Sequence, residues 1–306
     1  MTPAPLPGPS AGPRPFSLVV TDSGLGGLAI AAGLVRRFLR DRPGRDLAIT
    51  YFNAWPEEDR GYNQIPDPAE QARVFDGALA GMERFRPDTI LIACNTLSVL
   101  YRRTAYARSG RVPVVGIVEF GLDLILAHWQ RQPDSRILLL GTGTTIGSGV
   151  HAAGLRARGV PGRCILAQAC DGVATRIEYG PDRPEVREWL EPQLDQAAAR
   201  CPDRAGPVLA ALCCTHFSYS LPAFRQALEA RFPGPVTILD PNQAMVDGLA
   251  LDLAGGAQGR VDLQVVSRIP FKPQKVAAIA AALEPVAPPA ADGLRRYRHD
   301  PQLFTF

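Results

Sequence analysis

The stretch LAALCCTH (209–216) sets an aliphatic run before two adjacent cysteines, a threonine and a histidine. The run shows no apolar–polar alternation, so it reads as a strand covered on both faces. TILIACNT (89–96) has the same layout: aliphatic residues, a terminal cysteine, then a polar step into a helical pattern. Two further pairs match. FSLVVTDSG (16–24) and RILLLGTGT (136–144) each run from an aliphatic strand into a Gly/Ser/Thr turn, while VVGIVE (114–119) and PVTILD (235–240) each end in a carboxylate. The spacings agree. Asp22 to Cys94 and Thr142 to Cys214 are both 72 residues, Cys94 to Cys214 is 120, and Glu119 to Asp240 is 121. Matched spacings in one order point to an internal duplication.

Strands are also expected at 47–52, 112–119, 163–169 and 236–240, with amphipathic helices such as 28–40, 69–85 and 221–232 between them. This alternation predicts α/β architecture: two pseudosymmetric doubly wound parallel-sheet domains with the active site in the cleft between them. Ligands of open α/β sheets bind outside the carboxyl ends of the strands, which would put Cys94 and Cys214 on opposite walls of one cleft. The expected boundaries are a disordered Pro-rich tail at 1–15, a first domain of 16–115 plus 241–285 carrying Asp22 and Cys94, a second domain of 116–240 carrying Cys214 and His216, and a C-terminal extension at 286–306.

Composition narrows the chemistry. At 46% hydrophobic and 21% charged, the 306-residue chain reads as a soluble globular protein. A net charge of +3, with no basic block interleaved with aromatics, argues against a nucleic-acid partner. No run approaches the roughly 18 apolar residues of a membrane helix, and none at the start is of signal-peptide type. Six cysteines without an export signal then suggest free thiols in the cytoplasm. Only four histidines and no paired C-x-x-C units argue against a metal site. Of 33 basic residues only Lys272 and Lys275 are lysines, both in a segment that reads as peripheral, so no pyridoxal phosphate Schiff base is expected.

Two thiols on opposite walls fit a two-base proton exchange at a stereocentre. A thiol suits the task because a helix N-terminus or a nearby cation can bring it toward neutrality. His216, two residues after Cys214, and Asp22, at the strand end neighbouring Cys94, are the candidate proton-handling partners. The competing reading is that a strand cysteine is core filler. Cys164, Cys170, Cys201 and Cys213 take that reading; position in the repeat sets Cys94 and Cys214 apart. DSGLGG (22–27) lacks the Gly-Lys-Ser/Thr ending of a phosphate loop, and GTGTTIGSG (141–149) has Ile146 where a dinucleotide fingerprint has its third glycine. A cradle for a small carboxylate, built from backbone N–H groups with Ser23, Thr142, Thr144 and Thr145, fits both turns.

DSGLGGLAI (22–30), ACNTLS (93–98), GIVE (116–119), GTGTTIGSG (141–149), CTHF (214–217) and LDPNQA (239–244) together resemble the glutamate racemase family of the aspartate/glutamate racemase superfamily. The motifs keep the family's order over roughly 16–285. The resemblance implies a cofactor-independent racemase of two α/β domains, often a homodimer, acting on a small amino-acid substrate. It casts Cys94 as the base for the D-enantiomer and Cys214 for the L-enantiomer, assisted by Asp22, Glu119 and His216. Ser23, Asn95, Thr96, Thr145 and Thr215 match positions that hold the substrate's carboxylates and ammonium. Such an enzyme would interconvert L- and D-glutamate for peptidoglycan.

The sequence departs from the family's pattern at FNAWPEEDRGYNQIP (52–66), which lacks its Pro-Tyr-Gly, and at Phe120 and Phe217-Ser218. Arg60, Tyr62 and Asn63 are therefore candidates for altered side-chain recognition, with a solvated loop as the plainer role for Arg60. The alternatives are a racemase for aspartate or another amino acid, an isomerase or lyase of a small carboxylate, or a non-catalytic amino-acid-binding protein.

Overall fold

A computed structural model describes residues 14–201, 205–255 and 258–306. The expected tail at 1–15 lies outside these residues except for its last two, and Arg14 already pairs with Asp88. Among the described residues, ten strands form two sheets. The first sheet comprises β1 (Phe16–Asp22), β2 (Leu47–Asn53), β3 (Thr89–Ile92), β4 (Val114–Gly116), β9 (Val261–Ser267) and β10 (Arg298–His299), in the order β10-β9-β2-β1-β3-β4. The second comprises β5 (Arg136–Gly141), β6 (Ile165–Ala169), β7 (Val208–Cys213) and β8 (Val236–Leu239), in the order β6-β5-β7-β8. Every strand pairing within both sheets is parallel. The order β2-β1-β3-β4 is repeated as β6-β5-β7-β8, as a duplicated unit requires.

The central strands are apolar throughout because helices cover both faces of each sheet. Leu18, Val19 and Val20 of β1 are buried, and so is every residue of β7. Successive side chains serve opposite layers: Leu18 and Val20 join the cluster under helix Leu28–Asp41, while Val19 joins the cluster under helix Pro68–Met82. In the second sheet Cys213 and Cys214 part company in the same way, into clusters on opposite sides.

The structure departs from the expected elements at one strand and adds structure at two further places. The strand expected at 112–119 ends at Gly116, and helix Ile117–Arg131 begins there. Its buried residues, Ile117, Val118, Gly121, Leu122 and Ile125, follow the helical period, which the short apolar run VVGIV conceals. Strand β9 is absent from the expected elements, because the exposed Asp262 and Gln264 interrupt its apolar pattern. The segment 286–306, expected as a C-terminal extension, packs onto the first sheet. Helix Pro288–Arg295 buries Ala290, Ala291 and Leu294, β10 pairs with β9, and Leu303 and Phe304 pack with Phe52 and Phe75. Among the described residues, no helix is long and apolar enough to cross a membrane.

Candidate active site

Both sheets direct the carboxyl ends of their strands into one cleft of about 580 Å³. Cys94 and Cys214 each follow the last residues of a strand and each occupy the position that caps the next helical turn. Cys94 keeps 5% of its surface exposed and Cys214 keeps 6%, and both line the cleft. Cys213, at 1%, packs behind the sheet with Ile137 and Leu139, so Cys214 is the cleft thiol of the adjacent pair.

The two halves are tied by reciprocal hydrogen bonds. Thr215, just after Cys214, donates its hydroxyl to Asp22 Oδ2 at the end of β1 (2.7 Å). Thr96, two residues after Cys94, sits 2.9 Å from the Thr142 hydroxyl at the end of β5. Thr145 completes this hydroxyl cluster, 3.2 Å from Thr96 and 3.1 Å from Thr142, although it lies beneath the cleft wall. Gly26 makes the approach of the DSGLGG turn possible: a Cβ there would clash with both Thr215 Oγ1 and His216 Nδ1.

Cys94 has Ser23 Oγ at 3.4 Å and accepts a weak hydrogen bond from the Leu97 N–H at 3.5 Å. Burial pushes this thiol up strongly, and the neighbouring Asp22 carboxylate adds to that; the Ser23 and Leu97 donors oppose them only in part. Burial thus favours the neutral form of Cys94. Asp22 is itself raised to about 6, because full burial outweighs the nearby His216 charge and the Thr215 hydrogen bond. Its Oδ1 is buried and has no hydrogen-bond partner among the described residues.

Cys214 Sγ lies 3.8 Å from His216 Nδ1, and His216 Nε2 lies 2.9 Å from Glu178 Oε1. The same carboxylate accepts the Leu25 N–H (2.9 Å) and, through Oε2, the Lys275 ammonium (2.6 Å). Burial alone would raise Glu178. Hydrogen bonding and charge from His216, together with Lys275, bring it down to about 2 instead. Burial likewise opposes a charged His216, but its bonds to Cys214 and Glu178 hold its proton affinity well above the usual imidazole value. With Nε2–H directed at an ionised carboxylate, Nδ1 is the nitrogen turned to Cys214.

Asn95 lines the cleft and lies 3.1 Å from His151 Nε2 through its Oδ1. Burial lowers His151 to about 4, so the neutral ring donates and Asn95 Nδ2 is left with no partner among the described residues. Ser23, Thr96, Thr142, Thr144, Thr215 and Asn63 also line the cleft, and Asn63 Oδ1 accepts the Thr144 N–H at 3.4 Å. Tyr62 does not reach it; the ring is buried edge-on to Phe75. Arg60 is drawn away to Glu70 at 2.9 Å.

Glu119 is the clearest misplacement. It sits in the first turn of helix Ile117–Arg131, 55% exposed, paired with Arg158 (2.6 Å) and Arg102 (3.4 Å) outside the cleft. Because β4 stops at Gly116, Glu119 is not a strand-end residue. The carboxylate that stands beside a cleft cysteine's histidine is Glu178, in the mid-chain helix Val173–Tyr179, away from any strand end. Lys275 also corrects its expected place: far from peripheral, it stands against Glu178. Among the described residues, no three His, Cys, Asp or Glu side chains group as a metal site.

The family model for Asp/Glu/Hydantoin racemase matches residues 28–249, a span that holds both cleft cysteines. A glutamate racemase from a Nitratiruptor species is 28% identical over 264 residues, covering 85% of this chain and 94% of its own. Another, from Granulibacter bethesdensis, is 30% identical over 245 residues, covering 74% and 75%. Among solved structures, glutamate racemase from Francisella tularensis in complex with D-glutamate aligns with a TM-score of 0.65 over 89% of this chain and 94% of that one. At 17% identity that likeness speaks for the fold. By sequence match, the chain belongs to the Asp/Glu/Hydantoin racemase family.

Proposed function

We propose that this protein interconverts L- and D-glutamate by passing the α-proton between Cys94 and Cys214, without a cofactor. One observation carries the reading: each duplicated half brings one thiol, at the same place in its unit, to a shared cleft with its own proton-handling neighbour. In one direction the Cys214 thiolate takes the α-proton, forming S–H and leaving the C–H electron pair delocalised toward the carboxylate. The Cys94 S–H then breaks as a new C–H bond forms on the opposite face, and Cys94 is left as thiolate. The reverse direction exchanges these roles. His216 relays protons at Cys214, and Asp22, raised to about 6, is the proton-handling group on the Cys94 side.

An α-proton beside an ammonium and a carboxylate is weakly acidic, so the site must stabilise the negative charge that develops. The Thr96–Thr142 hydroxyl pair and the unpartnered Asn95 amide supply donors for the carboxylate, and the unpartnered Asp22 oxygen suits the ammonium. Burial strengthens each contact. The same proposal places the reaction in the cytoplasm, as a source of D-glutamate for peptidoglycan, and takes a homodimer as the working unit.

A second reading is a longer acidic amino acid. The cleft volume falls in the range that takes drug-sized ligands, and the altered 52–66 loop brings Asn63 and Gln64 to its wall. Arg103 is the only Lys or Arg among the described residues lining the cleft and would face a distal carboxylate.

A panel of D- and L-amino acids in deuterated water tests both readings. Glutamate of either hand should lose its optical signal and gain α-deuterium during turnover. Turnover confined to a longer acidic substrate would replace glutamate, and exchange with none would end the racemase reading.

A further inference from the structure

The mechanism above does not account for Lys275. The chain uses lysine only twice among 33 basic residues. It places this one in the first turn of helix Pro273–Leu283, where the helix dipole disfavours a cation. The ammonium is offset by a specific partner: Nζ lies 2.6 Å from Oε2 of Glu178, whose side chain is only 7% exposed. The Lys275 side chain is held at 20% exposure, with its ammonium 5.2 Å from the centre of the Tyr179 ring. Helix Pro273–Leu283 packs in the core of the first domain through Ile279, Ala280 and Leu283, while Glu178, His216 and Cys214 belong to the second.

We propose that Lys275 is a positioning residue: a cation supplied by the first domain that fixes Glu178 and thereby sets the proton affinity of His216 beside Cys214. The inference rests on the two-thiol reading for its catalytic meaning. Glu178 has one oxygen for Lys275 and the other for His216 and the Leu25 N–H. With Lys275 in place, the carboxylate is held in one orientation and its charge is shared between two cations. Without it, His216 is the one cation left on Glu178, and the cluster loses one positive charge. His216 then holds its proton more tightly.

The groups that face His216 are Cys214 on its own segment, Asp22 from the end of β1, and Glu178 from helix Val173–Tyr179. Tyr219 and Tyr51 stand near Asp22 and Glu178. Lys272, Glu58 and Asp59 join Lys275 around an adjoining cavity of about 270 Å³. Of these, Lys275 is the cation in direct contact with Glu178.

The test compares wild type with Lys275→Met and Lys275→Arg in two measurements. The first is the pH profile of kcat/KM for glutamate. Lys275→Met should move the acidic limb upward by about one pH unit, and Lys275→Arg should keep it near the wild-type position. The second is the NMR titration of the His216 Cε1–H, assigned by its disappearance in His216→Gln. It should move upward in Lys275→Met and stay in place in Lys275→Arg. A Lys275→Met profile that superimposes on wild type after scaling, with an unmoved His216 titration, would overturn the inference. An equal shift in Lys275→Arg would overturn it too, since the charge is retained. The His216 titration is independent of turnover. If wild type does not racemise glutamate, the functional reading falls while Lys275 is still judged.

Discussion

Cys94 and Cys214 share a backbone conformation almost to the degree: φ −151°, ψ 124° for the first and φ −152°, ψ 125° for the second. Their surroundings differ at nearly every matched position. Asp22 ends β1 where Thr142 follows β5, and Thr96 stands two residues after Cys94 where His216 stands after Cys214. Even the reciprocal bonds differ in kind. One joins a hydroxyl to a carboxylate, Thr215 to Asp22; the other joins two hydroxyls, Thr96 to Thr142. Duplication therefore fixes where each thiol sits. The acid–base character of each wall comes from residues that the duplication does not share.

The severest trial of this comparison is to remove one thiol at a time. Cys94→Ser and Cys214→Ser should each lower racemisation by ~1000-fold or more, because the proposed exchange uses both thiols in every turnover. A circular-dichroism assay that finds a tenth of wild-type activity in either variant would break the pairing. Next come the two carboxylates: Glu178→Gln and Asp22→Asn should each cost on the order of 100-fold in kcat.

Their stability effects should have opposite signs. Glu178 is depressed to about 2, so the stability it contributes is present above its ordinary value of 4.5 and is lost as pH falls toward 2. Glu178→Gln should melt lower than wild type at pH 7 and show a flatter acid-side decline. Asp22 is raised to about 6, so its favourable contribution is present at low pH and is lost as pH rises through that value. Asp22→Asn should thus gain ~1–3 kcal/mol over wild type at pH 8. Thermal melts from pH 3 to 8 read both signs.

Smaller effects sharpen the remaining contrasts. Thr142→Val removes one donor from the hydroxyl pair and should raise KM roughly 10-fold, since a lost hydrogen bond to a charged ligand is worth about 1.5 kcal/mol. Glu119→Gln, outside the cleft, should leave kcat/KM within about twofold of wild type, in keeping with the small worth of exposed ion pairs.

Much of the site is legible in the residue order because the strands end there. A buried strand with a polar terminus announces itself locally, so Cys94, Cys214, Asp22, Thr142 and His216 can be found from TILIACNT, LAALCCTH and their counterparts. Glu178 and Lys275 carry no such local mark. Each sits on an amphipathic helix and acquires meaning only when the first domain's helix Pro273–Leu283 meets the second domain's helix Val173–Tyr179. The same limit explains Glu119. The residue order GIVE offers no sign that β4 stops at Gly116, and one residue type read as strand end or helix turn points in opposite directions. Strand β9 is hidden for another reason: Asp262 and Gln264 suit a partly exposed position beside β2 and β10, outside the covered centre of the sheet.

The repeated strand order has a final consequence. The two hands of an amino acid are related by reflection, but two copies of an L-residue fold can be related only by rotation. A duplicated protein can therefore offer a thiol to each face of the α-carbon, yet it cannot offer mirror-image surroundings. Enantiomers have equal free energies, so kcat/KM must be the same from either hand, whatever the asymmetry of the walls. Any preference built into the Asp22 side or the His216 side must appear as compensating differences in kcat and in KM.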